Sequence, residues 1–253
     1  MRYFAFSDIH GCLDPLLEAL DQAGYDPDNQ GHHLLFLGDA FDKNRQDYQT
    51  YRFLKEAVGQ GRCTWVLGNH DEYLLNCLKK HEVNHFCRDT IHNIALGINP
   101  DSVDEIQTLL DDGADELLLS CPDYFETPHY VFTHGMIPFD KKHHRYDPSW
   151  RNAPKGTWTR FRSLNGMKCV LDGINEPGKA IVVGHIGSYY GNIVLRHPEI
   201  SRDDEEFVKL GNKLKQRASD NIEYFEMYRG DGVIGIDGRC FDTGIVPVLV
   251  IEE

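Results

Sequence analysis

The sequence contains no apolar run approaching the about 18–20 residues that a membrane-spanning helix requires, so no span and no membrane partner are expected. It has no Cys-x-x-Cys pair. Its seven cysteines (Cys12, Cys63, Cys77, Cys87, Cys121, Cys169 and Cys240) are odd in number and unpatterned. That argues for reduced thiols and against a zinc or disulfide framework. Positive charge is scarce: 26 Lys and Arg stand against 40 Asp and Glu, a formal net charge of −14. Such a surface repels polyanions at long range, and duplex nucleic acid is not an expected partner. A small phosphorylated substrate is not excluded, because bound cations reverse the local field. The opening MRYFAFSDIHG lacks the long apolar stretch and small-residue cleavage site of a signal peptide, and the expectation is a cytoplasmic chain.

What is present suits a globular protein. The hydrophobic share is 41% and the charged share 26%, which excludes a disordered chain, a collagen and a coiled coil. At 253 residues the chain buries roughly 70–75% of its unfolded surface without staples. No linker composition or internal repeat divides it, so residues 1–253 are read as one domain.

The first half alternates strand and helix. Tyr3–Ser7, His33–Leu37 and Cys63–Leu67 read as strands. Leu13, Leu16, Leu17 and Leu20 recur at helical spacing before Gly24, and Tyr48–Val58 and Glu72–Lys80 read as the next helices. Residues 81–127 read as a partly helical insert or cap, with Ser102 and Glu105 as a capping box. Strand-like runs follow at Tyr130–Thr133, Ala180–Val183, Val233–Ile236 and Val246–Ile251, and Asp203–Ser219 reads as a charged amphipathic helix. The fold class expected is α/β: a second sheet of late strands packs on the first, giving a two-layer β-sandwich flanked by helices.

Chemistry gathers where strands end. The first three strands run into Asp8-Ile9-His10-Gly11, Gly38-Asp39-Ala40-Phe41-Asp42 and Gly68-Asn69-His70-Asp71. Two later ones run into His134-Gly135 and Gly184-His185. Ligands of α/β sheets bind beyond the carboxyl ends of the strands, so these residues converge on one edge. Carboxylate and amide oxygens mixed with imidazoles suit divalent Mn, Fe or Zn. On an extended strand end Asp8 and His10 share a face and grip one ion together. Asp39 can bridge two ions, and Asn69, His134 and His185 complete the second. Two ions about 3.5–4 Å apart clamp a phosphoryl group and activate water. His70 then suits a general acid, with Asp42 as its carboxylate partner and Asp71 as a weaker choice. An isolated Asp-x-His would be read as a turn aspartate and a core histidine; five blocks in order would not. His32 and His33 start a strand far from this edge and receive no role. Cys12 reads as a small hydrophobe on the first helix, and Lys141–Arg145 as a solvated loop.

These blocks resemble the calcineurin-like metallophosphoesterases, closest to the phosphoprotein-phosphatase branch with its bacterial and phage members. The resemblance covers residues 1–75 tightly and 130–190 loosely. It implies a β-sandwich flanked by helices and a dinuclear site commonly assayed with Mn²⁺. It also implies a His70–Asp42 acid pair and a metal-bridging hydroxide as nucleophile. The branch commonly has Asp-Arg-Gly after the second block, its arginine on the substrate phosphate; here Lys43 takes that place and Arg45 lies two residues on. Lysine supplies a point charge and no bidentate fork. Asp71 stands where glutamate is common. No second histidine follows Gly184-His185, which fits this branch. The segment Trp150-Arg151, Trp158–Arg162 and Asn165-Gly166 resembles one that faces the site in bacterial relatives, with Arg160 preferred over Arg162 as a phosphate contact.

The expected function is metal-dependent hydrolysis of phosphate monoesters, first as a serine/threonine phosphoprotein phosphatase. The alternatives are a symmetrical diadenosine tetraphosphate hydrolase and a cyclic-nucleotide or RNA phosphodiesterase. A non-catalytic metal-stabilised scaffold is the alternative of another class. An open acidic cleft would favour a phosphoprotein and aromatic walls a nucleotide, a choice assigned to residues 81–127.

Overall fold

Alternate residues of the early strands serve two different cores. Phe4 and Phe6 of strand β1 (Arg2–Phe6) and Leu34 and Phe36 of β2 (His32–Phe36) face one way, into a core shared with helices. Ala5, Leu35 and Leu37 face the other way, onto Phe132, Val182 and Ile234 of a second sheet. A strand buried on both faces reads as a continuous apolar run, which is how these strands appear in the sequence. The computed structural model describes residues 1–253.

Helix α1 (Leu13–Gln22) lies between β1 and β2, α2 (Asp47–Gly59) between β2 and β3 (Cys63–Trp65), and α3 (Asn69–Lys80) follows β3. Helices α4 (Arg88–Ile98), α5 (Glu105–Asp111) and α6 (Ala114–Ser120) come next, then β4 (Tyr124–Glu126) and β5 (Tyr130–Thr133). Helices α7 (Lys155–Arg162) and α8 (Gly166–Leu171) lead to β6 (Ala180–Val183), and α9 (Tyr189–Arg196) and α10 (Glu205–Gln216) to β7 (Tyr228–Gly230) and β8 (Val233–Gly235). The short α11 (Cys240–Thr243) and β9 (Leu249–Glu252) complete the chain. The first sheet has the order β3-β2-β1-β9 and the second β4-β5-β6-β8-β7. Strands β1, β2 and β3 are mutually parallel, as are β5, β6 and β8. Helices cover the outer face of each sheet, so the architecture is a β-sandwich with helical flanks, as expected.

The structure departs from the sequence reading in identifiable places. Strand β9 does not join the other late strands; it pairs antiparallel with β1 at the edge of the first sheet. Its Leu249 and Ile251 point into the inter-sheet core, a burial that no local pattern distinguishes from second-sheet membership. Residues 81–127 do not form a separate layer over the sandwich. Ile91, Ile94, Ile106, Leu109 and Leu118 belong to the same core as Phe4 and Leu16, and the stretch ends in β4 of the second sheet. The capping box is also corrected. Asp104, not Ser102, caps α5 by accepting from the Gln107 amide at 3.0 Å, while Ser102 Oγ pairs with Thr108 Oγ1 at 2.8 Å. Aspartate with extended backbone fills the cap position better than a serine two residues earlier. Helix α3 begins at Asn69, three residues before the expected start, because the Asp71 carboxylate closes its first turn on the Gly68 amide. The edge strands β4 and β7 are three residues each, too short to show alternation. All seven cysteines are free thiols, with Cys12 packed in the first core. Lys141–Arg145 is exposed throughout. No helix is long and apolar enough to cross a membrane.

Candidate active site

The parallel strands of both sheets deliver their carboxyl ends to one edge. β1 leads to Asp8 and His10, β2 to Asp39 and Asp42, and the loop after β3 to Asn69 and His70 at the start of α3. From the second sheet β5 leads to His134, β6 to His185 and β8 to Asp237. Eight non-glycine residues have positive φ, and six of them lie here: Asp8, His10, Asp39, Asp42, His185 and Arg239. Strained backbone of this kind persists where surrounding structure over-determines it, and it gathers at functional sites.

Asp8 and His10 do come together, with Nε2 of His10 4.0 Å from Oδ1 of Asp8. The strand alternation invoked from sequence is not the cause. β1 ends at Phe6, and both residues are left-handed, with φ of +52° and +44°. The turn rather than the pleat aims them inward.

Asp39 is the hub. Its Oδ2 lies 3.3 Å from His134 Nε2, 3.8 Å from His70 Nε2 and 3.9 Å from His10 Nε2. Asn69 Oδ1 is 3.0 Å from His134 Nε2. His10 Nδ1–H donates to the Phe41 carbonyl at 2.7 Å and His134 Nδ1–H to the Leu37 carbonyl at 2.6 Å. Tying Nδ1 to a carbonyl directs Nε2 inward, the usual way a protein sets a metal-binding tautomer. His70 Nδ1 is hydrogen-bonded to Asp42 Oδ2, so the predicted pair is formed. Asp42 Oδ1 is buried without a donor and lies 3.3 Å from His10 Nδ1.

The electrostatics are those of a site lacking positive charge. Burial, reinforced by Asp237, pushes Asp8 up to about 8. Burial opposes ionisation of Asp39 too, but His134, His70 and His10 together hold it far below the usual carboxylate range. For His10 burial is outweighed by Asp42 and the neighbouring carboxylates, which lift it to about 10. Burial is likewise outweighed at His134, lifted to about 9 by Asp39 and Asp8. His185 is pushed down to about 4 by burial and by His134, so its imidazole is neutral. Buried carboxylates that draw protons onto two imidazoles fit divalent cations, which supply that charge when the protons leave. Three donor groups converge closely enough to hold an ion: Asp8, His10 and Asp39; Asp39, His134 and His185; His10, Asp42 and His70.

Sequence reasoning undervalued Asp71. It is fully buried and takes four donors: the amides of Asp39, Ala40 and Gly68 and the indole Nε1 of Trp65, at 2.9–3.0 Å. It ties the second and third loops together and is no partner of His70. Asp47, also unassigned, accepts from the Asp42 amide at 3.3 Å and from Asn93 of α4 at 3.1 Å. Residues 81–127 thus reach the layer behind Asp42 and His70. Asp237, given no role in the sequence reading above, is 3% exposed and accepts from the Arg239 amide at 2.7 Å. Its signal was present: it stands at the end of an apolar strand, as Asp8 and Asp39 do.

The basic candidates divide. Lys43 is exposed, its Nζ 5.9 Å from the Phe241 ring centre, and Phe241 meets the His10 ring edge-on at 5.3 Å. Arg45 and Arg160 are exposed, and their side chains have no protein partner. Arg162 is corrected: it is 3% exposed and clamped between Glu72 at 2.7 Å and Asp123, so its charge is already spent on the protein.

A sandwich whose loops bring buried carboxylates, an amide and imidazoles together at one edge is the framework of a metal-dependent phosphoesterase. The chain belongs to the calcineurin-like phosphoesterase family, whose model matches residues 1–231. It is similar to the symmetrical bis(5'-nucleosyl)-tetraphosphatase of Photobacterium profundum, 31% identical over 63% of this chain and 50% of that protein. It is also similar to the asymmetrical bis(5'-nucleosyl)-tetraphosphatase PrpE of Bacillus subtilis, 34% identical over 33% of this chain and 36% of that protein. The chain thus spans half or less of the length of these curated relatives. Among solved structures, a cold-active protein-tyrosine phosphatase of a psychrophile Shewanella species shares the fold, with a TM-score of 0.50 and 16% identity over 100% of this chain and 75% of that one.

Proposed function

We propose that the protein is a dinuclear-metal hydrolase acting on bis(5'-nucleosyl) tetraphosphates, with Asp8, His10, Asp39, Asn69, His134 and His185 as its metal ligands and Asp39 shared. Divalent ions, with Mn²⁺ proposed, supply polarisation of the phosphoryl oxygens and an activated water. His70 is the general acid: Asp42 holds Nδ1, and Nε2 is left to give a proton to the leaving oxygen. Lys43, Arg45 and Arg160 are the proposed phosphate contacts.

One observation favours a nucleotide over the phosphoprotein that the sequence put first. An aromatic row leads away from the acid. Tyr73 stands 5.5 Å from His70, and Phe86, from the 81–127 stretch, stacks on Tyr73 at 5.5 Å with 26° between planes. Phe86 is 52% exposed, which leaves aromatic surface on which a nucleobase can stack. The tetraphosphatase names of the two curated relatives agree with this choice.

The test sets diadenosine tetraphosphate, p-nitrophenyl phosphate and a phosphoserine peptide side by side with added Mn²⁺. The expected kcat/KM is at least a hundredfold higher for the tetraphosphate than for the peptide. The reverse order sinks this reading and restores the phosphoprotein one. Chromatography of the products separates two ADP from ATP plus AMP.

A further inference from the structure

Arg239 is the residue that the fold treats most unusually. It has φ of +49° and ψ of +52°, a left-handed conformation that arginine rarely adopts. The chain holds it there by two contacts. The Asp237 carboxylate accepts its amide at 2.7 Å, and its side-chain stem lies across Gly187, where a Cβ would meet Arg239 Cγ and Cδ at 3.0 Å. Gly187 is two residues beyond His185, so the stem crosses the loop that carries one histidine of the site. Beyond that loop the guanidinium lies 4.9 Å from the centre of the Phe241 ring. The same ring touches His10 at 5.3 Å and carries Lys43 Nζ at 5.9 Å. Arg239 therefore borders both halves of the site, the one from the first sheet and the one from the second. Asp242 engages Nε at 2.9 Å and Nη2, and Nη1 has no protein partner. Lys43 and Arg239 thus hold two cations around one ring beside the site, with Asp242 as the counter-charge of Arg239.

We propose that Arg239 is a specificity residue that, with Lys43, binds a phosphate adjacent to the reacting one, so that the site takes polyphosphate chains in preference to single phosphate monoesters. Guanidinium matches a phosphate with two parallel hydrogen bonds where lysine offers only a point charge, and the Nη1–Nη2 end that Asp242 leaves open makes good the missing fork at position 43. The strained backbone sets the guanidinium on the rim, which a relaxed conformation at residue 239 would not do. This inference rests on the nucleotide reading above for its substrate class, and its test is independent of turnover.

The test is calorimetric binding of inorganic tripolyphosphate and of orthophosphate to the Mn²⁺-loaded protein at fixed free Mn²⁺, for wild type and Arg239→Gly. Glycine takes φ of +49° freely, so the variant relieves strain and its Tm is expected not to fall. The Kd for tripolyphosphate rises about tenfold or more, and that for orthophosphate moves less than about threefold. Arg239→Gln, which keeps the stem over Gly187, reproduces the change, and Arg239→Lys recovers part of it. An unmoved tripolyphosphate Kd overturns the inference. So do equal shifts for the two anions with a fallen Tm, which mark a structural residue. Wild-type turnover of diadenosine tetraphosphate tests the underlying reading on its own, so either failure is recognisable.

Discussion

The imidazole of His70 is hydrogen-bonded through Nδ1 to Oδ2 of Asp42, whose other oxygen lies 3.3 Å from Nδ1 of His10. One carboxylate therefore orients the proposed acid and neighbours a proposed ligand. If His70 delivers a proton, its loss matters in proportion to how badly the leaving group needs one. His70→Asn is expected to lower kcat about a hundredfold on phenyl phosphate and much less on p-nitrophenyl phosphate, whose leaving group departs unaided. Steady-state kinetics on both esters measures this, and equal losses argue against the acid role.

Asp39 approaches three imidazoles through one oxygen. Asp39→Asn removes the charge that a shared ligand supplies to both ions. Elemental analysis of protein purified without chelator is expected to find about two ions per chain in wild type and fewer than one in the variant. Two retained ions contradict a bridging Asp39.

Asp71→Asn keeps shape and loses acceptors. The one remaining oxygen can serve the Asp39 and Gly68 amides and Trp65 Nε1, which share Oδ2, and the new NH2 then faces the Ala40 amide that Oδ1 accepted. Leaving that buried donor unpaired against another donor is expected to destabilise the fold by about 1–3 kcal/mol, read by urea unfolding. A loss below about 1 kcal/mol shows that the two loops are held by something else.

Gly184 stands where the two sheets meet, against the Ser7 hydroxyl and the Asp8 carboxylate, with no room for a Cβ. Gly184→Ala must push the second sheet off the first loop. About 1–3 kcal/mol of overpacking cost is expected, together with loss of bound metal, because Asp8 and His185 move apart. Wild-type metal content in the alanine variant is incompatible with this account.

Far from the site, Glu126 is held by Arg151 at 2.7 Å and Lys179 at 3.0 Å, and the Arg151 hydrogen bonds keep its carboxyl down at about 2. A depressed carboxylate stabilises the fold above its unfolded value of about 4.3 and loses that contribution as pH falls through its folded value. With the side chain 30% exposed, solvent screening leaves about 1 kcal/mol at neutral pH. Urea unfolding of wild type and Glu126→Gln is expected to differ by that much at about pH 7 and to converge between about pH 4 and pH 2. A gap that stays constant across that range contradicts the ion-pair account.

The early strands, the helices between them and the gathering of Asp8, His10, Asp39, Asn69, His134 and His185 at one edge were legible in the sequence. Each depends on short-range features: apolar runs, helical spacing, and Asp, Asn or His beside glycine at a strand end. The pairing of His70 with Asp42 was legible too, because it joins adjacent blocks of one edge. Other features depended on contacts between residues distant in the chain. Arg160 is preferred only narrowly over Arg162 as a phosphate contact in the sequence, and Glu72 and Asp123 enclose the second and leave the first exposed. Strand β9 has the same apolar alternation whichever sheet it joins, and only its long-range pairing with β1 assigns it to the first. Asp71 and Asp237 became distinctive when folding removed water from them, since a buried carboxylate must find donors or a cation and an exposed one need not. Sequence determined which chemical groups reach the edge of the sandwich. Tertiary packing decided which of them remain free to act there.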